Sequence, residues 1–160
     1  MLSVRDVADT WASVYANSAA LRSVVSFAHI GGLVGGGGCA IAADGATLRA
    51  FRGAPGVLTR EIEHLHGVHR LVLIGLAAVV VSGVLLTFAD LDAYLASTAF
   101  WIKMALVVGL FVNGSILVRS SGRAHDGEPA ARAVLRRASI ASLILWIATT
   151  FIGAALPNVL

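Results

Sequence analysis

Charge is scarce in this chain. Asp, Glu, Lys and Arg make up 13% of its 160 residues, about half the share usual in a soluble domain. Cysteine occurs once, as Cys39 inside an apolar run. One thiol excludes an internal disulfide framework and a multi-cysteine zinc site, and its ordinary role is that of a small buried side chain. Lysine also occurs once, as Lys103. Basic residues interleaved with aromatics are absent, and so is any nucleic-acid motif, so no nucleic-acid partner is expected. The net charge of +3 comes from arginines scattered between apolar runs, a pattern of membrane topology. The length leaves no room for a second domain of normal size.

What is abundant is apolar surface: 58% of residues are hydrophobic and the mean hydropathy is +0.85. Four apolar runs stand out, at 23–43, 71–89, 93–118 and 138–160. Each is near the ~20 residues a helix needs to cross a bilayer. Short connections between them favour antiparallel neighbours. The expected fold is therefore all-α. It is an integral membrane four-helix up-down bundle occupying 23–160, with spans at about 23–46, 70–89, 95–118 and 137–157. The turns between spans centre on Arg52, Gly53, Ala54, Pro55 and Gly56, and on the stretch from Gly122 to Pro129.

Residues 1–22 form a different element. Val4, Val7, Trp11, Val14 and Tyr15 recur at helical spacing, and Ser3 with Asp6 reads as a capping pair. The run is too polar to span and lacks the basic start and apolar core of a signal peptide. It is expected as an N-terminal amphipathic interfacial helix. Nine arginines fall in the loops after the first and third spans, and two, Arg5 and Arg22, on the other side. The chain is thus expected in a bacterial-type inner membrane, with both termini on the non-cytoplasmic side.

This topology puts two ionisable residues at one depth. His29 lies in the outer half of the first span, and Lys103 in the outer half of the third. An ionisable side chain in hydrocarbon is a functional-site hypothesis by default. Ser26, Tyr94, Ser97, Thr98, Trp101, Thr149 and Thr150 share the layer. Trp101 and Tyr94 read as interfacial anchors or as walls of the site. A second polar layer lies near the cytoplasmic face, with Asp44, Arg49, His64, His66, His69, Arg70, Asn113 and Arg119. Asp44 is expected in an ion pair with Arg49 or with an arginine of another helix.

His29 has three available roles: ligand to a metal or haem iron, proton relay, or hydrogen bond to a neighbouring helix. Six glycines follow it, Gly31, Gly32, Gly35, Gly36, Gly37 and Gly38, in overlapping small-xxx-small patterns. They admit close approach of another helix or of a flat macrocycle. Lys103 either snorkels to the headgroups or serves as countercharge to the carboxylates of a haem or tetrapyrrole. His66 and His69, three residues apart and close after Glu63, allow a weak metal reading beside that of a solvated helix start. One haem does not bridge His29 and His69, because they belong near opposite faces.

Three stretches resemble the small four-helix families that include the HemJ-type protoporphyrinogen oxidases and the CopD-like membrane proteins. They are Phe27-Ala28-His29-Ile30-Gly31-Gly32, His69-Arg70-Leu71 and Phe100-Trp101-Ile102-Lys103-Met104, and Ser82-Gly83-Val84-Leu85-Leu86 is similar in style. The resemblance covers about residues 23–118. It implies haem b as cofactor, His29 as axial ligand and Lys103 as its partner; Ser26 and Trp101, which share their layer, are the further candidate cofactor contacts. For an enzyme, it implies an oxidoreductase. The CopD-like side implies copper handling, for which Met104 and Cys39 are the soft ligands at hand. The leading expectation is a membrane-embedded haem b or tetrapyrrole-binding redox protein engaged in electron transfer. The alternative is a noncatalytic accessory subunit packed in a larger membrane complex or a homo-oligomer. A metal or proton transporter ranks last, because an apolar zone separates the two polar layers.

Overall fold

The computed structural model describes residues 3–54 and 56–158, except for the side chains of 64–66. Among the described residues it is helical, with no strand. Helix α1 is Val4–Asn17, α2 is Ala19–Ala50, α3 is Val57–Ala89, α4 is Leu91–Ala96, α5 is Thr98–His125 and α6 is Pro129–Ala155, continued by a 3-10 turn to Asn158. Four helices are long and apolar enough to cross a membrane: Ala19–Ala50, Gly67–Ala89, Thr98–His125 and Pro129–Asn158.

Local sequence explains most boundaries. Ser18 separates α1 from α2 and caps the latter, its Oγ accepting from Leu21 N at 3.2 Å. Arg22 clamps the joint by donating to the Ala16 carbonyl. Gly56 and Gly127 take φ of 89°, which glycine adopts without a Cβ penalty, and each turns the chain into the next helix. Pro129 stands in the first turn of α6, where its missing N–H costs nothing. Ser97 caps α5.

All four long helices run further than the apolar runs suggest, α2 reaching from Ala19 to Ala50. The apolar window of the second span starts near Gly67, but α3 begins at Val57. Arg60, Glu61 and Glu63 interrupt the apolar pattern there, yet Ile62 is 1% exposed in a cluster with Ala124, Ala131 and Leu135. That contact carries the helix through its charged stretch. Glu63 meets His125 at 3.6 Å across the same joint. At the far ends of this interface, α5 runs on to His125 and α6 starts at Pro129.

Contacts between helices have the antiparallel order of an up-down bundle. Helix α2 packs on α3 and, through its second half, on α6; α5 and α6 form the most extensive pair; α3 and α5 barely touch. The glycines of α2 set the first of these contacts. A Cβ on Gly75 of α3 would stand 2.5 Å from Gly36 Cα and 2.8 Å from the Gly32 carbonyl oxygen. Two backbones therefore touch directly, the usual geometry of small-residue helix contacts in membranes. Residues Leu33–Gly37 form a π turn, whose extra residue re-phases the helix. Gly32 and Gly36 then face α3, while Gly37 faces α6, where its Cβ would lie 3.0 Å from the Trp146 ring. The space that a macrocycle would need beside Gly32 and Gly36 is filled by Gly75. Gly35 and Gly38 face open space.

Helix α1 is docked across the end of α3. Trp11 Nε1 donates to the Leu85 carbonyl at 2.8 Å, and Arg5 meets Asp92 at 3.4 Å. Ala8 is buried against the bundle, and Val4, Val7 and Val14 are exposed. The expected capping box is present, with Ser3 N donating to Asp6 Oδ2 at 2.7 Å and Asp6 N to Ser3 Oγ at 3.1 Å. These bonds to Ser3 hold the Asp6 carboxyl below its ordinary value of 3.8. A depressed carboxyl stabilises fully above its unfolded value and loses that contribution as pH falls through the lowered one. Acidification below about pH 4 is expected to fray the first turn of α1. Faster amide exchange at Asp6 and Val7, with the α2–α6 amides unchanged, would verify this, and a pH-independent first turn would refute it.

Candidate functional site

The site is built from four helices, α2, α3, α5 and α6, at the end of the bundle where α1 docks. His29 sits on α2, one turn before the glycine contact. On α3, Ser82 lies two turns after Gly75 and therefore on the same face. The Gly75 interlock fixes the register that brings the two together, with His29 Nδ1 3.0 Å from Ser82 Oγ. Gly83 lies against the imidazole edge; a Cβ there would be 3.4 Å from Cε1.

The tautomer follows from the donors and acceptors. Ser82 Oγ donates to the Ala78 carbonyl at 2.5 Å, with the Val79 carbonyl at 3.2 Å. Its single proton is committed there. In the bond to His29 the hydroxyl oxygen must then accept, so Nδ1 carries the hydrogen. The Val79 carbonyl also faces the imidazole as an acceptor. With the hydrogen on Nδ1, the ring lone pair sits on Nε2. Metal-bound histidines are commonly oriented in this way by a bond at the other nitrogen.

Lys103 enters from α5. Its ammonium is within coulombic reach of His29. It lies along α6 at Gly153, where a Cβ would stand 3.5 Å from Nζ. One turn before Gly153, Thr149 is 6% exposed and its Oγ1 has no hydrogen-bond partner. The shared depth expected from topology is thus an electrostatic neighbourhood, with a hydrogen-bonded histidine, a cation and an orphan hydroxyl on three helices.

The other expected site residues are placed less centrally. Ser26 is half-buried one turn before His29. Trp101 is 56% exposed, its Nε1 donates to the Leu95 carbonyl at 3.0 Å, and its ring meets Phe100 edge-on at 5.5 Å. Tyr94 also meets Phe100 edge-on, at 5.6 Å. Burial holds its phenol above the ordinary range, with Tyr15 and Asp90 adding to the effect. His69 is exposed on the rim of a groove at the opposite end of the bundle. The side chain of His66 lies outside the described residues. Glu63, the third member of that weak metal reading, is engaged with His125.

Two inner-layer expectations resolve differently. Asn113 bridges helices, its Nδ2 donating to the Ala138 carbonyl at 3.0 Å. Asp44 does not form the expected arginine pair. The groups facing its carboxyl are the Ser142 and Ser139 hydroxyls, because α2 packs on α6 along a face that carries serines there and no arginine. Residue spacing did not single out Ser82, although it and Thr87 are the only hydroxyl residues in the run 71–89.

No protein-family profile, curated protein or solved structure matches the chain.

Proposed function

We propose that the protein is a haem b or tetrapyrrole-binding redox protein of a bacterial-type inner membrane, with His29 as the axial ligand. The observation that supports this most is the imidazole itself. It is anchored through Nδ1 by a serine whose own proton is spent, and in that tautomer Nε2 carries the lone pair that iron would need. The donor set suits the group, since iron in haem b takes neutral histidine nitrogen. Lys103 would neutralise a carboxylate of the macrocycle, and Ser82 would hold the ring's tautomer and orientation. Haem, when bound, supplies one-electron redox chemistry.

In this reading α2, α3, α5 and α6 span the bilayer and both termini face away from the cytoplasm, as the nine-to-two distribution of arginines favours. Helix α1 lies at the outer interface, with Val4, Val7 and Val14 in the acyl boundary and Trp11 tying it to α3.

An absorption spectrum of the purified protein, as isolated and after dithionite, tests the proposal. A Soret band is expected in the wild type and is expected to be lost in His29→Ala. Protein from haem-replete cells that is colourless and does not take up added haemin would sink it.

A further inference from the structure

The inner half of the bundle contains a second polar centre that the His29 layer does not use. Because α3 and α5 barely touch, a groove of about 510 Å³ opens between them. Its walls are mainly apolar, including Val72, Leu110 and Trp146, with Arg119 and His69 among them, and its floor carries Asp44, Thr47 and Ser142. These floor residues are deeply buried, Asp44 at 6% exposed, Thr47 at 1% and Ser142 at 3%. Behind them, Ser139 is fully buried at 0%.

Charge is unbalanced at this floor. The ion pairs among the described residues join Arg5 with Asp92, and His125 with Glu63 and Asp126; none includes Asp44. The Ser142 and Ser139 hydroxyls face its carboxyl. Yet Ser139 Oγ completes no hydrogen bond of normal geometry. The oxygens are gathered from two helices, the carboxyl from α2 and the two hydroxyls from α6. A buried carboxylate without a cation is costly, and so is a buried hydroxyl without a partner.

We propose that Asp44, Ser139 and Ser142 form a binding site for a small monovalent cation of the Na+ class, reached through the groove between α3 and α5. The donor set is all oxygen, which suits a hard cation. One carboxylate balances one positive charge, whereas a divalent ion would leave an excess charge in a low-dielectric interior. Ser139 is fully buried, which leaves no room beside it for a substituted ammonium. Water in the groove would complete the coordination from the Ser142 side. This site is independent of the haem reading.

The test is thermal unfolding of the purified full-length chain in detergent, in NaCl against choline chloride at equal ionic strength. Linkage predicts a saturable Na+-specific rise in Tm of roughly 5–10 °C. Asp44→Asn keeps the shape of the side chain and is expected to melt in choline at or above the wild type, with no Na+ response. Ser139→Ala removes one hydroxyl and is expected to weaken the apparent Na+ affinity roughly tenfold. This variant carries the test if the asparagine does not fold. Line broadening of ²³Na in the wild type, absent in the variants, is the direct readout. Equal Tm in sodium and choline overturns the site, as does a Na+ response that survives in Asp44→Asn or is undiminished in Ser139→Ala.

Discussion

Gly75→Ala is expected to destabilise the bundle by about 2–3 kcal/mol, the upper range for overpacking a tight interface. The added methyl would stand 2.5 Å from Gly36 Cα, 2.6 Å from Gly36 N and 2.8 Å from the Gly32 carbonyl oxygen. All three are backbone atoms, so no side chain can swing aside. The helices must separate along their whole contact, and the packing that holds them falls steeply with distance. Gly35→Ala supplies the control. Its methyl would meet nothing within 4 Å, and alanine is worth up to about 1 kcal/mol over glycine within a helix. That variant is expected to match or exceed the wild type. Thermal melts in one detergent compare the pair. Equal losses in both would show that glycine content, and not the α2–α3 interlock, sets stability.

The same interlock explains which parts of the structure were legible from the residue string. Apolar runs of spanning length need no tertiary information, so four helices and their antiparallel order follow from composition and loop length. The coincidence of His29 and Lys103 in depth follows too, because topology alone sets it. The partner of His29 does not follow. Whether Ser82 or another residue of α3 meets the imidazole depends on rotation and sliding of one helix on the other. Gly32, Gly36 and Gly75 determine both by backbone contact, with a π turn at Leu33–Gly37 adjusting the phase. Propensity does not mark such a turn. The start of α3 was hidden for the opposite reason: Arg60, Glu61 and Glu63 mask a helix held by one buried residue, Ile62. Asp44 invited an arginine partner because arginines are plentiful on that side. The face of α6 that packs against it carries Ser139 and Ser142 instead.

Of the two residues that define the proposed haem site, His29 should act in an all-or-none manner and Ser82 by degree. His29→Ala removes the nitrogen donor and is expected to abolish the Soret band. Ser82→Ala leaves the imidazole in place but removes the oxygen that accepts from Nδ1 at 3.0 Å. Loss of an outer-shell partner of this kind costs about 10–100-fold in ligand affinity. The Val79 carbonyl remains near the ring as an alternative acceptor, which places the expected loss toward the lower end of that range. Titration of apo-protein with haemin measures it. Ser82→Thr keeps the hydroxyl and is expected to recover most of the affinity, since a β-branched hydroxyl still donates to the carbonyl one turn back. A purely structural serine would behave differently. Its alanine variant would lower Tm without moving the haemin affinity or the reduced-minus-oxidised spectrum, and that result would detach Ser82 from the site while leaving His29 to be judged by its own band.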